Sequence, residues 1–412
     1  MNCNEEPAER GDTLARIDVQ NFVFSRQTAF GQQIDLDARY SGGRSADIPC
    51  ARSGLVVPFP GELMRKFLFV FMALLAQTSL AQAKDDVVVV LDSGDARVTL
   101  INQDTRQPIG SFATGKEPHH LMATPDNRDL IVANAVGNDL MLLDPQTGRP
   151  IGSVPNIPDP YQIGFSPDHR WFVVNCLRLN RTDIYSYDQG RFQLAKRIPL
   201  KALPSHMAFT ADSKTVYISL QETNSVAAID LPTQTVMWSM KVGETPAGLW
   251  LTPGDKTLLV ALTGSDAVVA VDPATRRIVK RIVTGEAAHN FRSMADGRHV
   301  LVSNRVSNTI SILDMDTLTK VGDITGLRPG PDDMELSADR RWLWVTFRFA
   351  RSVGVIDMQT RKLVDVIRVG KSPHGIYFYN RAPFYDNLPP LALLARQQTV
   401  SLRLAPAMHA AR

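Results

Sequence analysis

The sequence predicts an all-β fold in which one four-stranded unit is repeated along the chain. Two observations predict it: a Pro or small residue recurs every 42 to 44 residues, and four short apolar runs separated by turn residues fill each interval. No stretch has a sustained helical period, so helices are not expected to build the core. The recurring anchor residues are Pro118, Pro160, Pro204, Pro246, Ala288, Pro331 and Pro373.

The interval that begins at Pro118 shows the pattern of the unit. Turns that contain Pro, Asp, Asn or Gly separate its four apolar runs, which cover residues 118–124, 129–134, 139–144 and 149–154. Four strands in about 40 to 45 residues are typical of a β-propeller blade, which packs both faces on neighbouring blades. Because an open array would expose two apolar faces and several sheet edges, we expect the blades to close into a ring.

The strand count predicts how the ring closes. Six full units occupy residues 118–369, and a single strand at 375–380 follows the last anchor. Three further strands precede the first unit, at residues 87–91, 98–101 and 108–112. We therefore predict a seven-bladed β-propeller over residues 84–380, with four-stranded antiparallel blades. Its closure blade combines three N-terminal strands and one C-terminal strand.

Residues 64–83 have the features of a secretory signal peptide. Met64 is followed by two basic residues, by an apolar run at 67–75 that is too short to span a bilayer, and by Ala-Gln-Ala at 81–83. Cleavage is expected before Lys84, which predicts a periplasmic or secreted protein. The alternative is an uncleaved membrane anchor with a cytoplasmic tail. Because a signal peptide acts at the N-terminus, residues 1–63 are predicted to be a non-native or disordered upstream extension.

Composition and motifs exclude several classes of function. The chain has 45 Lys and Arg against 42 Asp and Glu, and a formal charge of +3 gives no bulk attraction for nucleic acid. Cys176 is the one cysteine after residue 83, so no intramolecular disulfide is expected, and the absence of Cys-x-x-Cys-His excludes covalent haem. Phosphate-loop, dinucleotide-binding and serine-hydrolase motifs are also absent.

Residues 381–412 break the repeat and are predicted to be a loosely attached C-terminal extension that adds no strand. The apolar run at 391–394 within it is too short to cross a membrane. No transmembrane anchor is therefore expected after signal cleavage, and the closed ring is expected to be a monomer.

The repeat resembles the YVTN family of bacterial β-propellers. The closest matches are Phe-Ser-Pro-Asp at 165–168, Ile-Val-Ala-Asn at 131–134 and Ser-Asn-Thr-Ile-Ser-Ile-Leu-Asp at 307–314. Similar propellers include the haem-d1 domain of nitrite reductases, lactonase-like propellers and a small exported propeller associated with quinoprotein alcohol oxidation. The resemblance implies the fold but little about activity, because propellers host many unrelated functions.

The candidate site is the channel rim on which two sets of loops converge. These loops enter the innermost strand of each blade and join its second and third strands. Five of the eight histidines fall one or two residues after an anchor, and imidazoles there suit a metal, a haem iron or a small anion. They are His119, His120, His206, His289 and His374. Loops between the second and third strands add amide and guanidinium groups that suit carboxylate or phosphate ligands, namely Asn134, Asn304, Arg178, Arg305 and Arg348.

Three interpretations of the rim remain open. In the first, the histidines serve only as hydrogen-bond partners of a neighbouring blade's backbone, and the arginines belong to an ordinary solvated loop surface. Otherwise the rim binds a protein partner or a small anionic ligand, and we expect a non-catalytic binding scaffold. The alternative is a cofactor-handling or catalytic propeller, either a haem-d1 or quinone-linked redox accessory or a lactone hydrolase. No cofactor is required, although a metal or tetrapyrrole is compatible. His119 and His374 flank the closure and are the candidate metal ligands, expected to be exposed loop side chains.

Overall fold

A computed structural model describes residues 86–200 and 202–384, which form seven four-stranded antiparallel sheets. Within these residues the only helices are two short 3-10 turns, Ser93–Asp95 and Pro253–Asp255, and no helix is long and apolar enough to cross a membrane. The upstream extension and signal peptide predicted for residues 1–83, and residues 385–412 of the predicted C-terminal extension, lie outside the described residues.

Each sheet is one blade, and its first strand in blades 1 to 6 is the innermost strand. The chain begins with three strands of blade 7, which are β1 Val87–Asp92, β2 Arg97–Asn102 and β3 Pro108–Ala113. Blade 1 contains β4 Pro118–Ala123, β5 Leu130–Asn134, β6 Asp139–Leu143 and β7 Pro150–Pro155. Blade 2 contains β8 Pro160–Phe165, β9 Trp171–Cys176, β10 Arg181–Asp188 and β11 Arg191–Pro199. Blade 3 contains β12 Pro204–Phe209, β13 Thr215–Leu220, β14 Ser225–Asp230 and β15 Thr235–Lys241. Blade 4 contains β16 Pro246–Leu251, β17 Leu258–Leu262, β18 Ala267–Asp272 and β19 Arg277–Val283. Blade 5 contains β20 Ala288–Ser293, β21 His299–Asn304, β22 Thr309–Asp314 and β23 Thr319–Ile324. Blade 6 contains β24 Pro331–Leu336, β25 Trp342–Phe347, β26 Ser352–Asp357 and β27 Lys362–Arg368. The last strand is β28 Pro373–Phe378.

The ring closes as the strand count predicts. Strand β28 pairs antiparallel with β1, and Val89 lies opposite Tyr377, so blade 7 has the order β28-β1-β2-β3. A further hydrogen bond joins the two ends of the ring outside the strand pairing, because the backbone N–H of Gly370 donates to the Asp92 carboxylate at 2.9 Å. The predicted all-β, seven-bladed architecture with a shared closure blade is confirmed.

The hydrophobic core lies between blades rather than within them. Inner strands such as β24 and β28 are buried along their whole length, whereas outermost strands such as β7 are mostly exposed. Apolar side chains of adjacent blades interdigitate, and Trp344 of blade 6 packs 6.2 Å from the ring of Phe378 in blade 7. A single blade could not bury these faces alone, which explains why the array must be complete.

Each innermost strand contains a β-bulge immediately after its anchor. In blade 6, Pro331 lies opposite Phe347 and the next pair is Met334 with Val345, so two residues of β24 face one residue of β25. The same irregularity follows every other anchor. A bulge re-aims side chains and is common near functional sites. The five candidate histidines lie at these bulges, one or two residues after an anchor.

Candidate functional site

Six blades each contribute one side chain to a closed cycle of contacts, which we call the channel ring. The ring consists of His374, His119, Tyr161, His206, His289 and Asp332. In that order, ring centroids are separated by 4.0, 3.9, 6.5 and 5.0 Å between successive aromatic groups. His289 Nε2 then lies 3.5 Å from Asp332 Oδ1, and His374 Nε2 lies 3.8 Å from Asp332 Oδ2, which completes the cycle.

Blade 4 contributes no polar side chain to the channel ring. Its two bulged residues are Ala247 and Gly248, and a Cβ at Gly248 would lie only 2.3 Å from the carbonyl oxygen of His289. A side chain at that position would therefore collide with the backbone of blade 5. The backbone approach that places His289 depends on this glycine.

The ring histidines are buried, contrary to the expectation that they are exposed loop side chains. His119, His206, His289 and His374 are each 3% exposed or less. The reason is the bulge: these residues lie inside the innermost strands β4, β12, β20 and β28, not in the loops that precede them. Replacing one of them is therefore expected to affect packing.

The imidazole of His119 is neutral and its tautomer is set by the neighbouring blade. Its Nδ1 lies 2.9 Å from the carbonyl oxygen of Tyr161, and a carbonyl can only accept, so Nδ1 carries the proton and donates. Burial, together with nearby His374 and Arg348, holds the pKa of His119 well below its usual value. Nε2 of His119 therefore carries a lone pair.

The same reasoning applies to His289. The Thr263 hydroxyl donates its proton to the carbonyl of Ala288 at 3.0 Å, so it accepts from His289 Nδ1 at 3.3 Å. Burial and the charge of Arg305 keep the pKa of His289 well below its usual value. His289 Nε2 is therefore an unprotonated nitrogen that faces a carboxylate oxygen of Asp332 and has no hydrogen-bond partner.

Asp332 is an ionised carboxylate at the centre of the charged part of the ring. Arg305 donates to its Oδ1 from Nε at 2.9 Å and from Nη2 at 2.5 Å, and Arg348 donates to Oδ2 at 3.4 Å. Burial alone would raise the pKa of Asp332, but Arg305, assisted by His374, His289 and Arg348, holds it well below the usual range.

His374 lies between two carboxylates. Its Nδ1 is 3.2 Å from Asp333 Oδ2, and its Nε2 faces Asp332, yet neither nitrogen makes a hydrogen bond. Asp333 accepts a hydrogen bond from the amide of Asn290 instead. Burial tends to raise the pKa of Asp333, and the His374 imidazole outweighs that effect and lowers it.

His289, Asp332 and His374 together form a cluster of potential metal ligands. One donor atom from each residue lies within 4.8 Å of the others, and all three residues are buried. Two imidazoles and one carboxylate are a donor set that suits first-row transition metals. The structure thus brings together two of the five predicted histidines with the carboxylate of Asp332, which is not among the site residues predicted from the sequence.

Two of the predicted histidines lie beside the metal-ligand cluster. His206 Nδ1 contacts the Ser205 hydroxyl at 3.1 Å, and burial lowers the pKa of His206 to about 3. His120 is half-buried, its Nδ1 has no hydrogen-bond partner, and burial lowers its pKa to about 4 although Asp333 acts in the opposite direction. Both imidazoles are therefore neutral near pH 7.

The remaining predicted rim residues are engaged elsewhere. Arg178 is bound to Asp159 at 2.7 Å and to Glu117. Asn134 donates to Asp139 at 3.1 Å, which closes the turn between β5 and β6. Asn304 has the equivalent position in blade 5 and donates to the hydroxyls of Thr309 and Ser311 at 3.0 Å. These three side chains hold loops in place and lie outside the channel ring.

A second polar cluster lies about three residues further along the innermost strands. Arg292 of β20 donates to Glu335 of β24, and also to the carbonyls of Ala382 and Pro383 at 2.8 and 3.0 Å. Phe384 covers Arg292 and packs 5.7 Å from Trp250. The first residues of the predicted C-terminal extension are thus attached to the propeller, because the guanidinium of Arg292 requires their carbonyls.

Comparison with known proteins places this architecture in a family. A family model described as a YNCE-like beta-propeller matches residues 66–384. No curated protein sequence matches the chain. Among solved structures, similar folds include the dihydro-heme d1 dehydrogenase NirN in complex with DHE, with a TM-score of 0.56 and 17% identity over 72% of this chain and 75% of that chain. A putative 6-phosphogluconolactonase from Bacteroides uniformis has a TM-score of 0.58 and 17% identity over 72% of this chain and 100% of that chain. At these identities the likeness concerns the fold alone.

Proposed function

Because the chain belongs to the YNCE-like beta-propeller family, we propose that it is an exported binding protein that holds a small ligand in the mouth of its central channel. Export rests on the signal peptide predicted for residues 64–83. One observation supports the ligand site: a set of polar atoms in the mouth is buried and has no hydrogen-bond partner. These atoms all belong to residues one or two positions after an anchor and are His120 Nδ1, Gln162 Oε1 of β8, His289 Nε2 and both ring nitrogens of His374.

The energetic cost of these atoms favours a bound ligand. Each buried polar group without a partner costs about 1–3 kcal/mol, and native proteins contain few such groups. Several of them at one channel mouth would destabilise the propeller unless something binds there. Water, an ion or a small molecule that contacts the bulged residues would offset this cost.

The charges at the mouth favour a ligand that accepts lone pairs over a free anion. The two guanidinium groups nearest the ring, Arg305 and Arg348, are already paired with Asp332. His119 and His289 are neutral at pH 7, because burial lowers their pKa values. A phosphate or carboxylate ligand would therefore meet guanidinium groups that are already bound to a carboxylate, whereas an electrophile such as a metal would meet several imidazole nitrogens.

Tetrapyrrole handling is the second candidate function. A neutral imidazole whose Nε2 is free, as in His119, is suited to bind iron axially. The ring is closed by contacts between its members, so a macrocycle would rest on the mouth rather than enter the channel. The protein with dihydro-heme d1 dehydrogenase activity shares this fold, which makes a haem compound a reasonable probe.

The proposal is tested with three chemically distinct probes: Zn²⁺, haemin and 6-phosphogluconate. Binding of each to the purified protein is measured by isothermal titration and by thermal shift. The variant that carries both His289→Gln and His374→Gln lacks two imidazoles that each have at least one ring nitrogen without a hydrogen-bond partner. The matched control is His299→Gln, because His299 lies on strand β21 and contacts Asp296 instead of the ring.

We expect at least one probe to bind the natural protein and the His299→Gln control about 10-fold or more tightly than the double variant. The ring then contributes directly to ligand binding. If no probe binds, or if the double variant binds every probe as well as the control does, the proposed channel-mouth function is wrong.

A further inference from the structure

We infer that His289, His374 and Asp332 bind a divalent first-row transition metal ion in the channel ring. This inference rests on the proposed function, because it names the chemical class of ligand for the same mouth. The three residues come from consecutive blades 5, 6 and 7, so their bulges place them side by side. His289 and His374 supply imidazole nitrogens, and Asp332 supplies a carboxylate oxygen.

The geometry is close to that of a metal site. One atom from each residue lies within 4.8 Å of the other two. An ion equidistant from three atoms at that separation would be at most about 2.8 Å from each, and typical metal–ligand bonds are about 2.0–2.2 Å. Closing the site thus requires each donor atom to move by less than about 1 Å.

The contact between His289 and Asp332 is unfavourable without a cation. Nε2 of His289 is unprotonated, because Nδ1 carries the proton that is donated to Thr263. This lone pair lies 3.5 Å from Oδ1 of the ionised Asp332 carboxylate. Two electron-rich groups that face each other in a buried site repel, and a metal ion that binds both His289 Nε2 and the Asp332 carboxylate would replace this repulsion with attraction.

The surrounding residues orient the three ligands. Thr263 fixes the ring orientation of His289, and Arg305 holds the carboxylate of Asp332 through two hydrogen bonds. Such outer contacts are typical of metal sites, where a ligand usually bonds to a second group that positions it. Asp333 lies 3.2 Å from His374 and adds a negative charge that partly offsets the two arginines.

The donor set indicates the class of metal and its coordination. Two imidazoles and one carboxylate suit Zn²⁺, Cu²⁺, Co²⁺ or Fe²⁺ rather than Ca²⁺ or Mg²⁺, which prefer oxygen ligands. Three protein ligands leave at least one coordination position for water or a further ligand. A metal ion bound by these three residues would therefore keep a coordination position at which water or a ligand in the channel mouth can exchange.

The test uses the purified protein, stripped of metal with a chelator and titrated with Zn²⁺ and Co²⁺. Stoichiometry and affinity are measured by competition with a chromogenic chelator, and Co²⁺ binding is also followed by its visible absorption. The variants are His289→Gln, His374→Gln and Asp332→Asn, with His299→Gln as the control. Circular dichroism checks that each variant is folded.

We expect one high-affinity equivalent in the natural protein and the control, and a loss of about 100-fold or more in each of the three variants. As a measurement that needs no variant, Cu²⁺ bound to the natural protein should show coupling to two imidazole nitrogens in pulsed electron paramagnetic resonance. A stoichiometry that is unchanged in His289→Gln and His374→Gln, or Cu²⁺ coupled to a single imidazole, would overturn the metal site.

The two proposals can fail separately. If haemin or 6-phosphogluconate binds in a way that depends on the ring while Zn²⁺, Co²⁺ and Cu²⁺ do not bind, the metal inference is wrong and the channel-mouth function stands. If none of these probes shows ring-dependent binding, both are wrong.

Discussion

The guanidinium of Arg292 donates two hydrogen bonds to one carboxylate oxygen of Glu335, at 2.9 and 2.7 Å, and Arg292 is completely buried. Glu335 alone cannot satisfy all five N–H groups of an arginine. The carbonyls of Ala382 and Pro383 accept two of the remaining bonds. The short segment that follows β28 is therefore part of the folded domain.

Removing that segment is expected to destabilise the propeller. Truncation after Asn380 removes two carbonyl acceptors from Arg292 and also removes buried Ala382. Hydrogen bonds to a buried charged group contribute about 1.5–3 kcal/mol each, so we expect a melting temperature lower by roughly 5 °C or more. Truncation after Phe384 keeps these contacts and is the control. Equal melting temperatures for the two truncations would show that the segment contributes nothing.

The repeat made most of the fold predictable. The anchors, the turns and the three-plus-one strand count follow from local patterns, and a closed array is the only way to bury both faces of every blade. The contacts of residues 381–384 could not be predicted, because they depend on Arg292, which is distant in sequence. A residue pattern does not indicate which backbone carbonyls will accept hydrogen bonds from a buried charged side chain.

The candidate site was predictable in position but not in geometry. The sequence indicates that the residues after the anchors converge on one mouth, and the structure brings His119 and His374 within 4.0 Å of each other. The local pattern does not predict the bulges that bury these side chains, because two consecutive polar residues after an anchor, such as His119-His120 or Asp332-Asp333, resemble a solvated loop. Asp332 was the hardest to select, because the two acidic residues after Pro331 resemble solvated loop residues.

Replacing His119 with Ala is expected to reduce stability, not only binding. His119 is 3% exposed, donates to the carbonyl of Tyr161 and stacks on its ring at 3.9 Å. Loss of the donor leaves a buried carbonyl without its partner, so we expect a loss of about 1–3 kcal/mol in the free energy of unfolding. His119→Asn retains an N–H donor and should recover part of the loss. The measurement is denaturant unfolding followed by circular dichroism. Unchanged stability in His119→Ala would indicate that the imidazole serves binding alone.

The mature N-terminus is expected at Lys84. The basic residues after Met64, the apolar run and the Ala-Gln-Ala site predict export and cleavage before this residue. Mass spectrometry of protein recovered from the periplasm or medium should detect a first peptide that begins at Lys84. A matched variant, Ala83→Arg, should block cleavage and leave the precursor in the membrane fraction. Exported protein that retains residues 1–63 would contradict the predicted signal peptide.

Acid stability is expected to depend on the carboxylates that end the third strands, and Asp314 gives the clearest test. Burial tends to raise the pKa of Asp314, but the backbone N–H of Thr317 and the guanidinium of Arg298 outweigh it and lower the pKa to about 2. The folded pKa lies below the unfolded value, so the unfolded chain takes up the proton first as the pH falls. The stability that Asp314 contributes is therefore complete above about pH 4 and is lost progressively toward pH 2.

Asp314→Asn should consequently have a lower melting temperature than the natural protein at pH 7, and the difference should shrink as the pH is lowered to about 2.5. The control is Asp316→Asn, because the Asp316 side chain is 72% exposed and lies 4.0 Å from Arg298, so its effect should be small at every pH. Melting is followed by circular dichroism at constant ionic strength, which keeps the screening of Arg298 the same throughout. A difference between the natural protein and Asp314→Asn that stays constant from pH 7 to pH 2.5 would mean that the carboxylate does not titrate as its hydrogen bonds imply. The turn that follows Asp314 would then be stabilised by its backbone conformation rather than by the charge of the Asp314 carboxylate.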